Sequence, residues 1–246
     1  MNSSRAQAPS VVFDLDGTLV DSEPNAYESA RLLLERYGVP DFTWEQNARF
    51  IGISNREALA VLRAEYGIEA SADELVAGQD AIYLELARTS TEAFPEMRKF
   101  VETLHARGIA MAVASGSSPA AIEAVLKSTG LDAYLTEYVS AEEVAHGKPA
   151  PDVFLEAARR LGVAPAGCVV VEDAVPGAAA ARAAGMRCIA VPYVPATAGD
   201  PAFAAADLLF PGGQGEFSAQ AACAWLFPRS VPTPPDGHPE AARRIS

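Results

Sequence analysis

Two aspartates one residue apart, Asp14 and Asp16, close a short apolar run, Val11-Val12-Phe13, and are followed by Gly17-Thr18-Leu19-Val20-Asp21. Side chains alternate along a strand, so carboxylates at i and i+2 project from one face at its carboxyl end. Gly17 suits the tight turn that must follow. Two acids held at the mouth of a buried strand repel each other until a cation enters. Such a pair could ligate a metal, attack an electrophile or shuttle a proton. Asp-x-Asp-Gly is also an ordinary turn and the opening of a calcium loop. The latter would continue with oxygen ligands at alternate positions, where this chain has the apolar Leu19 and Val20.

A second run, Val169-Val170-Val171, delivers Glu172 and Asp173 in the same way. If all four acids converge, each like-charge pair at ~4 Å costs on the order of 4 kcal/mol at an intermediate dielectric. A hard divalent cation relieves that cost. Oxygen-only ligands point to Mg2+ rather than zinc, which prefers His or Cys. The plainer reading is a pair of acids capping a helix that begins near Val175-Pro176-Gly177.

Between these runs lie two further segments. Ser115-Gly116-Ser117 ends the apolar Ala112-Val113-Ala114 before a helix opening near Pro119, and its hydroxyls and backbone N–H groups could cradle a phosphate. An ordinary serine N-cap is the alternative. Lys148, one of only three lysines, stands in the proline-flanked loop Gly147-Lys148-Pro149-Ala150-Pro151. A rigidly placed cation suits a transferring phosphoryl group, although most lysines are solvated surface charges. His146 beside it reads as a loop residue.

The elements that must hold these groups follow from hydrophobic patterning. Strand-like runs occur at 11–13, 109–114, 168–171, 188–191 and 207–210, separated by helical patterns at 97–107, 119–128 and 152–161. Gly130 and Gly162 close the last two helices. Strand and helix in alternation predict a parallel, Rossmann-like α/β sheet. Residues 22–88 differ: Tyr27, Ala30, Leu33, Leu34 and Tyr37 recur at helical spacing, and capping boxes pair Thr43 with Gln46, Ser54 with Glu57 and Ser71 with Glu74. The expected division is a core at 1–21 and 89–227, an all-helical cap at 22–88 inserted beside Asp14, and a proline-rich, disordered tail at 228–246.

A chain of 246 residues with 50% hydrophobic and 21% charged residues can bury a full core. Its net charge of −13 argues against nucleic acid or an anionic membrane surface as partner. No run reaches the ~18 apolar residues of a membrane span, and the first ten residues carry no signal-like apolar stretch. A cytoplasmic protein is expected, a monomer or weak dimer, and an anionic small substrate would need local positive charge or a metal. Cys168, Cys188 and Cys223 are odd in number and form no Cys-x-x-Cys pair. Cys168 and Cys188 sit in apolar runs and read as buried, inert thiols.

In order and placement these four segments resemble the motifs of the haloacid dehalogenase-like superfamily, whose usual members are magnesium-dependent phosphotransferases. The resemblance spans about residues 10–212. It implies Asp14 as nucleophile toward phosphorus, Asp16 as general acid/base, and Ser115, Gly116, Ser117 and Lys148 as phosphate binders. It also implies a metal end made of Asp14, Asp16, Glu172 and Asp173. The helical insertion resembles the caps of the β-phosphoglucomutase and phosphoglycolate phosphatase groups. Haloacid dehalogenases lack the second Asp, and phosphonoacetaldehyde hydrolases need a cap lysine where residues 22–88 have none. A phosphatase, a β-phosphoglucomutase-type mutase and a non-catalytic binding module remain, the last disfavoured because every catalytic position is filled. Arg49, Asn55 and Arg56 flank Gly52-Ile53-Ser54 in the cap, where an arginine could meet a second anionic group or simply be solvated. The mutases' histidine beyond the first motif and arginine after the cap's Gly-x-Ser align with Ala26 and Asn55, which favours hydrolysis.

Overall fold

Every residue of β1 (Ser10–Phe13) is buried, because the strand is covered on both faces. The computed structural model describes residues 8–51 and 53–228. Gly52 and, but for Pro228, the tail expected to be disordered lie outside the described residues. After β1 the chain forms β2 (Val20–Asp21), then helices α1 (Glu23–Arg36), α2 (Trp44–Ala48), α3 (Asn55–Tyr66) and α4 (Ala72–Ser90), and returns through β3 (Glu92–Ala93). It continues α5 (Pro95–Ala106), β4 (Met111–Ser115), α6 (Pro119–Thr129), β5 (Tyr138–Ser140), α7 (Asp152–Leu161), β6 (Cys168–Glu172), α8 (Val175–Ala183), β7 (Arg187–Ala190), α9 (Pro201–Ala204), β8 (Leu208–Leu209) and α10 (Ala219–Leu226).

Six strands form one sheet in the order β5-β4-β1-β6-β7-β8, and every adjacent pair is parallel. The pleat sends Val11 and Phe13 into a layer shared with Phe100 of α5, Ile122 of α6 and Ala222 of α10. Val12 points the other way, against Phe154 of α7 and Ala180 of α8. This is the Rossmann-like α/β fold that the alternating pattern predicts. The chain runs outward from β1 through β4 to β5, then crosses back to place β6 on the free edge of β1. The order therefore reverses between β1 and β6, and open α/β sheets bind ligands in the crevice beyond the strand ends at such a point.

Two details differ from the sequence reading. A sixth strand, β5, carries a single deeply apolar residue, Val139, between Tyr138 and Ser140, too little to register as a run. β4 extends through Ser115, so that serine ends the strand instead of following it. Helices α5, α6 and α7 form where the spacing places them, and Gly130 and Gly162 end the last two in the left-handed conformation.

In the insertion all three capping boxes form, at Thr43, Ser54 and Ser71. Leu33, Leu34, Phe42, Leu59, Leu62, Leu75 and Ile82 make an apolar cluster of its own. Its two connections to the sheet domain pair as the antiparallel ribbon β2–β3. Among the described residues, no helix is long and apolar enough to cross a membrane. All three cysteines are free, and burial pushes the Cys168 and Cys188 thiols up.

Candidate active site at the carboxyl edge of the sheet

β1 stops at Phe13, and the next N–H, that of Asp14, donates to the Val171 carbonyl of β6 at 3.0 Å. This ties the first acidic residue to the strand that carries the second pair. One carboxylate oxygen each from Asp14, Glu172 and Asp173 lie within 4.8 Å of one another. Gly17, at φ +78°, makes this approach possible: a Cβ there would lie 2.4 Å from Asp173 Oδ2. Gly177 clears the other side, since a Cβ on it would fall 1.6 Å from Glu172 Oε1.

Each member of the group has distinct partners. Glu172 Oε2 accepts the N–H groups of Asp173 and Ala174, both at 2.9 Å. Asp173 Oδ1 accepts from Thr18 Oγ1 at 3.0 Å. Lys148 Nζ donates to Asp14 Oδ1 and to Glu172 Oε1, each at 2.6 Å. The ammonium also lies 4.9 Å from the centre of the Phe154 ring. Gln214 donates to the carbonyls of Gly17 and Thr18 at 3.1 and 2.9 Å, pinning the turn that carries Asp16 and Thr18.

Asp16 departs from the expected metal set. Its carboxylate lies outside the Asp14–Glu172–Asp173 group and is turned toward the end of β4. There Oδ2 accepts from Ser115 Oγ at 3.1 Å and Ser117 Oγ at 2.7 Å. Oδ1 accepts from Tyr83 Oη of α4 at 3.1 Å. The strand alternation that places Asp14 and Asp16 on one face lapses here because β1 ends before either residue. The Ser115–Ser117 segment is likewise engaged: Ser117 N–H donates to Ser115 Oγ at 2.9 Å. Gly116 is exposed between the two serines.

Burial, together with the charges of its neighbours, raises Asp173 well above the usual carboxylate range, and the same causes raise Asp14 against the opposing pull of Lys148. Burial alone would lower the Lys148 ammonium, but Asp14 and Glu172 overcome it and hold Lys148 above its ordinary value. Glu23, at the start of α1, is pushed up to about 7 by burial and by the charges of Asp16 and Asp21. Three carboxylates facing one ammonium leave a local negative excess, and a hard cation on these all-oxygen donors fits that excess.

The insertion residues singled out from sequence are engaged elsewhere. Arg49 is exposed and paired with Glu65. Arg56 is exposed and paired with Asp73 at 2.7 Å. Asn55 donates to Asp80 at 3.3 Å. Tyr83, Thr18 and Glu23 are the groups that sequence reasoning missed. Thr18 lies inside the first motif, and its hydroxyl was the available signal. Tyr83 sits in a helical pattern where a tyrosine reads as packing, and Glu23 as a helix-start charge.

A haloacid dehalogenase-like hydrolase model matches residues 9–185. The fructose-1-phosphate phosphatase YqaB of Escherichia coli (strain K12) is 38% identical over 184 residues, covering 74% of this chain and 95% of that protein. A bifunctional riboflavin kinase/FMN phosphatase of Arabidopsis thaliana is 33% identical over 195 residues, 79% of this chain but 51% of its own length, so the chain spans about half of that relative. The crystal structure of a β-phosphoglucomutase from Clostridium difficile superposes with a TM-score of 0.71 at 23% identity, covering 89% of this chain and 97% of that one, a likeness of fold. The chain therefore belongs to the haloacid dehalogenase-like hydrolase family.

Proposed function

We propose that this protein hydrolyses a small phosphorylated sugar or similar metabolite with Mg2+, through a phosphoryl group carried on Asp14. It is a phosphoric monoester hydrolase by its family and by its phosphatase relatives. The proposal adds the nucleophile, the metal and the substrate class. One observation carries it: Asp14 is held by the Lys148 ammonium on Oδ1, with Asp173 and Glu172 grouped beside it.

In this reading an Asp14 oxygen forms a bond to phosphorus as the ester P–O bond breaks, and Asp16 gives a proton to the departing oxygen. Asp16 then takes a proton from the water that attacks the same phosphorus and frees Asp14. Lys148 offsets charge on both the nucleophile and the phosphoryl oxygens. Ser115, Gly116 and Ser117 border the phosphoryl position from β4. Asp14 and Asp173, backed by Glu172, would hold Mg2+, which when bound supplies positive charge against the phosphoryl oxygens. The Asp16 carboxylate, committed to three hydroxyls, serves as acid/base and not as a side-chain metal ligand.

The helical insertion acts as a cap over the β1/β6 crevice, and the substrate class follows the 38% identical relative named for fructose 1-phosphate. Hydrolysis is favoured over mutase transfer because Ala26 offers no imidazole and Asn55 is bound to Asp80. Arg49 and Arg56 pair at the surface with Glu65 and Asp73, so neither is pre-set as a clamp for a far phosphate. Free cysteines fit a reducing, cytoplasmic setting, and we extend the reading to a monomer or weak dimer.

The test is a phosphate-release screen across sugar phosphates, phosphoglycolate, nucleotides and pyrophosphate. Release from a sugar monophosphate with Mg2+, lost with EDTA, is the expected result. Conversion of β-glucose 1-phosphate to glucose 6-phosphate faster than phosphate release would favour the mutase instead. No release from any member of the panel contradicts the proposal.

A further inference from the structure

The hydrogen bond from Tyr83 Oη to Asp16 Oδ1, at 3.1 Å, is the one side-chain bond among the described residues that joins the α1–α4 insertion to a carboxylate beyond the strand ends. Tyr83 is fixed at both ends. Its ring packs against the sheet's apolar cluster, on the side of Phe13 and Leu15, while its hydroxyl reaches the acid. Burial and the charge on Asp16 hold the phenol well above its ordinary value, so it remains a donor at neutral pH.

The distribution of donors on Asp16 is uneven. Oδ2 takes two hydrogen bonds, from Ser115 and Ser117, both supplied by the β4 end. Oδ1 takes a single bond, from Tyr83, and so retains an acceptor position in which a proton can be carried. The two serines restrain the carboxylate from one side only. Tyr83, arriving from α4 on a different element, fixes the remaining rotation and aims Oδ1.

We propose that Tyr83 is a positioning residue for proton transfer: it orients Asp16 so that Oδ1 protonates the departing oxygen. The proposal rests on the reading of Asp16 as acid/base. In the step concerned, an Asp14 oxygen forms the new bond to phosphorus and the ester P–O bond breaks. The bonding pair goes to the departing oxygen, and the proton on Asp16 joins it there. The kinetic parameter kcat/KM covers this first transfer and not the later hydrolysis of the phosphoryl group on Asp14.

The test compares two substrates and two variants. A sugar monophosphate loses an alkoxide-like oxygen that needs a proton, whereas p-nitrophenyl phosphate loses an anion stable without one. Tyr83→Phe keeps the ring and removes only the hydroxyl. It is expected to lower kcat/KM for the sugar monophosphate by about 10–100-fold, a fraction of what a whole general acid contributes. For p-nitrophenyl phosphate the change should stay below about twofold. Equal losses with both substrates would mean a structural role and overturn the proposal, as would no loss with either. Asp16→Asn separates the two claims. If it shows the substrate-dependent loss and Tyr83→Phe does not, the Tyr83 role fails alone. If Asp16→Asn shows none, the reading of Asp16 fails, and the role of Tyr83 with it.

Discussion

Lys148→Met deletes the ammonium and keeps an unbranched side chain over the Phe154 ring. In the native protein the ammonium donates to Asp14 Oδ1 and Glu172 Oε1, both at 2.6 Å, from a side chain only 13% exposed. At an effective dielectric of ~20 each contact represents about 6 kcal/mol of Coulomb attraction, most of which offsets the cost of burying the three ions. What the variant loses is therefore set by the two carboxylates left unpaired. Breaking a buried pair from one side costs about 3–5 kcal/mol. For a chain of this size that corresponds to a fall in Tm of about 6–20 °C. The loss has a defined pH dependence. A carboxyl raised in the folded state contributes stability that is present below its unfolded value and lost as pH rises through its folded value. Asp14 and Asp173 already lie in that regime, and removing Lys148 raises Asp14 further. The deficit should thus be larger at pH 8 than at pH 5, read by thermal unfolding in EDTA so that no divalent ion substitutes for the ammonium. A Tm within about 2 °C of the native protein at pH 8, or a deficit that grows toward acid, would refute the reasoning.

Glu23→Gln should stabilise the protein at pH 8 by on the order of 1–3 kcal/mol and have little effect at pH 5, because the Glu23 carboxyl is pushed up to about 7 and its burial opposes folding once ionised. Urea titrations in EDTA at the two pH values measure this. Gly177→Ala would set a Cβ 1.6 Å from Glu172 Oε1, and displacing that carboxylate should cost about 1–3 kcal/mol by urea unfolding and lower kcat, because Glu172 holds the Lys148 ammonium. Gly116→Ala meets nothing within 4 Å and should leave the unfolding midpoint unchanged. Ca2+ should bind the same carboxylates but support little phosphate release, because its larger, looser coordination misplaces Asp14; a kcat in Ca2+ equal to that in Mg2+ would contradict this.

Features written in short stretches of chain were legible. The apolar runs 11–13 and 168–171, each followed by acids, put Asp14 and Glu172 at strand ends from sequence alone, whereas the pairing of those two strands is seen only in the fold. Thr43, Ser54 and Ser71 announce three helix starts because a capping box is complete within four residues. Features that depend on distant residues meeting were not. Asp16 meets Ser115 and Tyr83 across 99 and 67 residues, so its removal from the metal group had no local signature. Tyr83 packs on the sheet's apolar cluster beside Ala87 of the same helix, and periodicity cannot distinguish a tyrosine that packs from one whose hydroxyl is used. β5 escaped because an edge strand of three residues needs no apolar run. Arg49 and Arg56 read from sequence equally as ligands or as solvated charges, and their partners Glu65 and Asp73 lie 16 and 17 residues away, beyond any local pattern.

The covalent role of Asp14 is tested most directly by trapping the phosphoryl group. The full chain is mixed with Mg2+ and a turned-over sugar monophosphate, quenched in acid within a single turnover, digested and read by peptide mass spectrometry. A phosphoryl group on the peptide containing Asp14, labile to hydroxylamine and absent in Asp14→Asn, is the expected result. Single-turnover phosphate release with no phosphoryl group on that peptide, or Asp14→Asn turning over at the native rate, would contradict the account.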